Sequence, residues 1–325
     1  MTQRILRSLL CSLVLGGASL ALAQDYPSKV ITIIVPFAAG GPSDTIARLT
    51  AQSMGVALKT QMIVENVAGA GGTIGAARLT QARPDGYTVF VHHIGHATAP
   101  ALYRKLTYDA IADFAPIGLI NDGAMALVAR KDFPAKNLKE FMSYAVANKD
   151  KLNLANAGVG SASHLCGMLL MSALNADFTT IPYKGTGPAM NDLLGGQVDF
   201  MCDQTTNNAS QIKAGKIAVY GVTTAKRIAA LPDVPTMSEA GMPNFTVSVW
   251  HAMYAPKGTP QPIIDKLAKA LQVALTDANL KQRFADLGSE AVAQDRATPE
   301  ALRAHLKAEI DKWGPIIKKA GVFAD

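Results

Sequence analysis

The sequence predicts an α/β protein of two lobes, each built on a doubly wound sheet, with a hinge and a central cleft between them. Three observations carry this expectation. β-Branched runs alternate with helical patterns from residue 29 to residue 92, the pattern of strands covered by helices on both faces. The same alternation resumes at 124 and continues to 223. Beyond Pro256 only helical periodicity remains, so the tail is expected to pack back on an earlier sheet.

The elements follow in order. Residues 29–35 are rich in Val and Ile and suit a buried parallel strand. A glycine-rich turn leads to a helix at 44–58, a strand at 63–66, a loop at 69–75, a helix at 73–81 and a strand at 87–92. The second set has strands at 124–129, 152–156, 178–182, 197–202 and 218–223, with intervening helices at 138–147, up to 174, at 188–194 and at 209–214. Amphipathic helices are expected at 260–275, 278–287 and 299–319. A chain of 325 residues exceeds the usual single-domain size. Lobe 1 is therefore expected at 24–124 and 251–325, and lobe 2 at 125–250. Two crossings between lobes make a hinge, and closure of such a hinge around a ligand is an established switching mode.

The first residues read as an export leader. Arg4 and Arg7 precede an uncharged apolar run at 9–22, and Ala21-Leu22-Ala23 has the small-x-small cleavage pattern, so residues 1–23 are expected to be removed. The run is shorter than the ~18–20 residues of a spanning helix. Cys11 sits inside it rather than at a lipid-attachment position. That leaves Cys166 and Cys202, which either pair in an oxidising compartment or stay as two buried thiols.

Nearly half the residues (49%) are hydrophobic, enough for real cores, and the formal net charge is +6. Removing Arg4 and Arg7 with the leader leaves +4. A mild positive charge suits steering of small anions and, with no basic run or aromatic platform, excludes nucleic acid as the partner.

Two motifs share a strand–glycine loop–helix layout. The first comprises Pro36, Phe37, Ala38, Ala39, Gly40, Gly41, Pro42, Ser43 and Asp44. Its glycines let backbone N–H groups face a ligand, and Pro42, Ser43 and Asp44 suit a first helical turn. A helix start offers free amides and a positive dipole end, which together bind anions. Asp44 is itself negative and is expected to cap amides instead. The second motif runs from Asn156 through Gly158, Gly160, Ser161 and Ser163 to His164. Two such starts facing across a cleft suit a ligand with one or two carboxylates. Each alone is also consistent with a tight structural turn. Lys184 and Thr186, and the strand end Cys202-Asp203-Gln204, are further candidates from the second lobe.

Other chemistries fit less well. His92, His93 and His96 do not share one side of a strand end and have no completing carboxylate, so no metal is expected; His93 is instead expected to line the cleft. His251 lies at the second crossing and is a candidate too. Ser161, His164 and Asp203 can be written as a hydrolase triad, but Gly-x-Ser-x-Gly is absent. In the 69–75 loop Ile74 occupies a position where a dinucleotide fingerprint needs glycine, and no Walker lysine occurs. No catalytic residue and no cofactor are expected.

The chain resembles the substrate-binding proteins of tripartite tricarboxylate transporters, the Bug-type receptors. The resemblance rests on Tyr26-Pro27-Ser28-Lys29, Pro36-Phe37, Ala39-Gly40-Gly41, Asp44, Pro84-Asp85-Gly86-Tyr87-Thr88 and Gly158-Val159-Gly160-Ser161. It continues through His164-Leu165, Pro182-Tyr183-Lys184-Gly185, Gly195-Gly196-Gln197-Val198-Asp199, Leu231-Pro232-Asp233-Val234-Pro235-Thr236 and Glu239-Ala240-Gly241. It implies a type II periplasmic binding protein fold and a periplasmic location. It also implies a carboxylate held by backbone amides and ordered waters at 37–44, with second-lobe contacts from 160–164, 184–186 and Asp203. The partners it implies are a small carboxylate and a pair of membrane permease subunits, with the receptor a monomer that catalyses nothing. His251 replaces a glycine found in many relatives, and 92–96 is richer in histidine than usual. These donors lean the expected ligand toward an aromatic dicarboxylate such as terephthalate. Aliphatic di- or tricarboxylates, monocarboxylates, a ligand-sensing role beside a signalling partner, and a serine hydrolase are the alternatives.

Overall fold

The computed structural model describes residues 26–324, so the expected leader lies outside the described residues. Its ten strands are β1 (Ile31–Val35), β2 (Met62–Asn66), β3 (Thr88–His93), β4 (Phe114–Arg130), β5 (Asn153–Asn156), β6 (Thr179–Pro182), β7 (Phe200–Gln204), β8 (Ile217–Val222), β9 (Ser248–Pro256) and β10 (Ser289–Ala291). The α-helices are α1 (Pro42–Leu58), α2 (Thr73–Thr80), α3 (Gly95–Leu102), α4 (Leu138–Ala147), α5 (Ala162–Leu174), α6 (Thr186–Leu194) and α7 (Thr205–Lys213). The tail supplies α8 (Gln261–Ala274), α9 (Ala278–Asp286) and α10 (Pro299–Ala320).

The strands run in the order β2-β1-β3-β9-β4-β7-β5-β6, with β8 and β10 attached to β4. The outer pairs β1/β2, β1/β3, β5/β6 and β5/β7 are parallel, as the sequence predicts. The middle is antiparallel, because β4 is long enough to serve both lobes. Its first part pairs with β9, from Phe114↔Pro256 to Ala124↔Ser248, and its last part pairs with β7 and β8. The chain thus crosses between sheets along β4 and returns beside it along β9. We propose 24–124 with 251–325, and 125–250, as the limits of the two lobes; the change of pairing partner at Ala124/Met125 supports them.

Alternation along the second sheet divides its two apolar faces. Leu127, Leu154 and Phe200 pack on one side with Phe141 and Leu165. Val128, Ala155 and Met201 pack on the other with Met190 and Leu193. Both faces are therefore covered, which is why the strands read as nearly continuous apolar runs.

The first part of β4, β9, β10 and α3 were not expected from the sequence. Pro116, Gly118, Asn121 and Gly123 look like turn residues, yet they lie in a central strand with register shifts at Pro116/Gly118 and Leu119/Asn121. Bulges let such residues stay in a strand.

Cys166 on α5 and Cys202 on β7 form a disulfide, with Cα atoms 5.8 Å apart. This settles the two options the sequence leaves open. The bridge ties the helix capped by Ser161 to the strand that ends at Asp203 and Gln204. Its closed loop spans 36 residues. The double variant Cys166→Ser, Cys202→Ser is expected to lose about 3–4 kcal/mol of stability, measured by urea unfolding under oxidising conditions. Equal midpoints would contradict a formed bridge.

Candidate functional site

The lobes meet opposite the β4–β9 pair through backbone contacts. Ala38 N–H donates to the Lys184 carbonyl at 2.8 Å. Tyr103 Oη donates to the Val159 carbonyl at 2.9 Å. Glycine permits this approach. Gly71 has φ +59°, and a Cβ there would lie 1.8 Å from the Val159 oxygen. A Cβ on Gly187 would come within 3.3 Å of the Gly41 nitrogen.

Behind this clasp lies a narrow crevice lined by buried residues, with about 10 Å³ open to the centre of a water molecule. Lobe 1 lines it with Phe37, Gly41, Pro42, Ser43 and His93; lobe 2 lines it with Ala157, Ser161, Ala162, Ser163, Thr186, Asp203 and Gln204. Four helices start here: α1 at Pro42, α5 at Ala162, α6 at Thr186 and α7 at Thr205. No side chain caps α1, α6 or α7. Ser161 caps α5, accepting from His164 N–H at 3.2 Å. No lining residue is lysine or arginine. Helix starts carry unsatisfied N–H groups and the positive dipole end, so the space favours an anion without a formal cation.

The polar side chains are not all donors. His93 Nδ1 accepts from Gly95 N–H at 2.9 Å, and its ring stacks on Phe37 at 4.7 Å. Burial lowers its pKa to about 3, so the ring is neutral and its other nitrogen carries a proton to donate. Ser163 Oγ accepts from Ala157 N–H at 2.8 Å and meets Ser161 Oγ at 3.1 Å. Asp203 is fully buried; its carboxylate accepts from Gln204 N–H at 2.7 Å and Asn207 Nδ2 at 2.5 Å, and is also bonded to Thr186. Burial pushes its pKa up to about 6 against those hydrogen bonds. Gln204 Oε1 is buried with no hydrogen-bond partner among the described residues.

Other sequence candidates lie outside this space. Ala39 and Gly40 are exposed. Lys184 is exposed and contributes its carbonyl to the clasp. Ala38 contributes its N–H to the same bond. Burial disfavours the Asp44 carboxylate, but bonds from Arg48, Gly40 N–H and Asn66 hold its pKa below the usual value. It caps the loop at Gly40 N–H (3.0 Å), as the sequence predicts. His164 Nδ1 accepts from Gly160 N–H at 3.3 Å and steadies the second glycine loop. That bond commits Nδ1 to the loop backbone, while Ser161 Oγ is bonded to Ser163 Oγ and the His164 N–H.

His251 does not line the space but reaches Ser43 from behind, Nε2 to Oγ 3.0 Å. Asn121 and Ser289, which continue this contact, are residues the sequence did not single out; Asn121 sits among turn-like neighbours and gives no local signal. Among the described residues, no group of three His, Cys, Asp or Glu side chains is arranged to hold a metal.

A larger cavity of about 730 Å³ lies elsewhere, lined by Phe245, Trp250 and Trp313 among others. Several of its polar groups are paired with one another, although His305 Nε2 has no hydrogen-bond partner among the described residues. Glu309 accepts from the indoles of Trp250 (3.2 Å) and Trp313 (3.0 Å), and Arg296 pairs with Asp122. The narrow space, with its convergent helix starts, is the better candidate despite its size.

Residues 46–322 match the model of the tripartite tricarboxylate transporter family receptor. The chain belongs to this family. A UPF0065 protein from the TAR-I ttuE-ttuC' intergenic region of Agrobacterium vitis is 49% identical over 99% of this chain and 92% of its own length. Among solved structures, the periplasmic binding protein BugD is 51% identical with a TM-score of 0.90, covering 92% of this chain and 99% of BugD. MatC (Rpa3494) from Rhodopseudomonas palustris with bound malate is 42% identical with a TM-score of 0.87, covering 90% of this chain and 100% of MatC. The protein is thus a periplasmic solute-binding receptor with the periplasmic binding protein fold, and not an enzyme.

Asp203 makes the receptor's stability depend on pH. Its folded pKa of about 6 exceeds the ordinary 3.8, so the folded chain holds a proton there that the unfolded chain releases. Stability from this group is therefore present below about pH 4 and lost as pH rises through about 6, by roughly 3 kcal/mol in all. Asp203→Asn is expected to remove that part of the slope. Urea unfolding of both proteins between pH 4 and pH 7 measures it. A constant stability difference across the range would contradict the buried carboxyl.

Proposed function

We propose that this receptor captures a small aliphatic dicarboxylate between its lobes and delivers it to the membrane permease subunits of a tripartite tricarboxylate transporter. The observation that carries the reading is the meeting of four helix starts on one narrow crevice whose lining has no lysine or arginine. Buried amides and dipoles hold a carboxylate where water is excluded. Two lobes contribute starts, so a ligand with a carboxylate at each end is gripped from both sides and favours closure.

The proposed carboxylate contacts are the first-turn amides of α1, the free ring nitrogen of His93, and Ser161, Ser163, Thr186 and Gln204. Water-mediated contacts are compatible with the same donors. The lining supports an aliphatic ligand over an aromatic one such as terephthalate, since Phe37 is the one aromatic carbocycle on its wall. Malate in MatC, at 42% identity, supports the same class. His251, which the sequence enlists as an extra donor, is committed behind Ser43.

Isothermal titration of the mature protein with succinate, malate, adipate, citrate, acetate and terephthalate tests this. Micromolar or tighter binding is expected for an aliphatic dicarboxylate, with terephthalate much weaker. Silence toward all the aliphatic acids, or preference for terephthalate, would overturn the reading.

A further inference from the structure

A buried chain of hydrogen bonds runs from the narrow crevice into the hinge. Ser43 Oγ meets His251 Nε2 at 3.0 Å, His251 Nδ1 meets Asn121 Oδ1 at 3.0 Å, and Asn121 Nδ2 meets Ser289 Oγ at 2.6 Å. Ser289 Oγ then reaches the Asp122 carbonyl at 3.1 Å. Ser43, His251, Asn121 and Ser289 are all at most 2% exposed.

The carbonyl at the far end sets the direction of every bond. A carbonyl only accepts, so Ser289 donates to it and accepts from Asn121 Nδ2. Asn121 therefore turns its carbonyl oxygen to His251, whose Nδ1 must carry the proton. Burial strongly disfavours the charged ring, so Nε2 is left as an acceptor. Ser43 then donates its single hydroxyl proton inward. Toward the ligand it presents lone pairs alone.

We infer that Ser43, polarised by the His251–Asn121–Ser289 chain, together with the unpartnered Oε1 of Gln204, selects dicarboxylates that carry a hydrogen-bond donor on the carbon beside a carboxylate. This rests on the dicarboxylate reading above and deepens it. Helix starts and His93 supply the donor side of the space; Ser43 and Gln204 supply an acceptor side. A plain dicarboxylate offers only acceptors and leaves both oxygens unpaired in a site lined by buried residues. A hydroxyl or ammonium group satisfies one of them. His251 and Asn121 touch no ligand and are positioning residues.

The test compares succinate, 2-fluorosuccinate, malate and aspartate by isothermal titration against wild-type protein and Asn121→Asp. Fluorine fills the place of the hydroxyl without donating. Wild-type protein is expected to bind malate, aspartate or both about tenfold more tightly than fluorosuccinate and succinate, the effect of one buried acceptor satisfied or not. In Asn121→Asp the carboxylate keeps the imidazole protonated, so Nε2 donates to Ser43 and frees its hydroxyl proton for the ligand. The preference should then fall to about one or reverse. Ser43→Ala, which removes the acceptor outright, should also flatten it and covers the case in which Asn121→Asp does not fold. Fluorosuccinate binding as tightly as malate and aspartate in wild type would overturn the inference. So would an undiminished preference in folded Asn121→Asp and in Ser43→Ala. Silence of wild type toward all four ligands would instead overturn the dicarboxylate reading, and this inference with it.

Discussion

Strands β4 and β9 lie side by side where the chain passes between lobes, and their register positions nearly everything that matters in the cleft. Pairing Ala124 with Ser248 brings the two crossings between the lobes side by side. Pairing Asn121 with His251 brings two distant polar residues into one hydrogen-bonded chain behind Ser43. The β3–β9 pair sets His93, which lines the space, opposite His251. On the far side, the Ala38–Lys184 bond and the Gly41–Gly187 approach close the cleft. A register slip of one residue in β9 would turn His251 to the other face of the sheet and break the chain behind Ser43.

The cleft solves a solvation problem without a cation. A carboxylate taken from water needs every oxygen satisfied. A buried lysine or arginine would supply charge but would itself be costly to desolvate when the site is empty. Uncapped helix starts avoid that cost, since their N–H groups are unsatisfied by the helix in any case. The cations nearest the motif are used structurally: Arg48 pairs with Asp44 at 2.9 Å, which in turn caps Gly40. Asp203 is the exception, a buried acid in an anion site. Burial raises its pKa, and its bonds to Asn207, Thr186 and the Gln204 amide keep it in place.

Much of this was readable in the sequence because it is local. A β-branched run, a glycine turn and a helix start within a dozen residues specify one anion-binding corner, and the same pattern recurs at 156–164. Asp44 as a cap follows from its place in the first turn. What the sequence concealed depends on pairing between distant strands. Asn121 reads as a turn residue beside Asp122 and Gly123, and only β9 and β10 on either side make it a buried relay. Lys184 looks like a carboxylate partner by charge, yet its exposed side chain leaves the carbonyl as its contribution. His251 looks like a ligand donor, and its position behind Ser43 makes it an organiser of that residue instead.

The central claim is that helix starts from both lobes hold the ligand at the narrow space and not at the larger cavity beside Trp250. A crystal structure of the protein grown with malate tests it most directly. The account predicts one carboxylate within hydrogen-bonding reach, directly or through one water, of the α1 first-turn amides, with the other end met by groups of α5, α6 or α7. Malate seated between Trp250, Trp313 and Phe245, with the α1 start unoccupied, would contradict it.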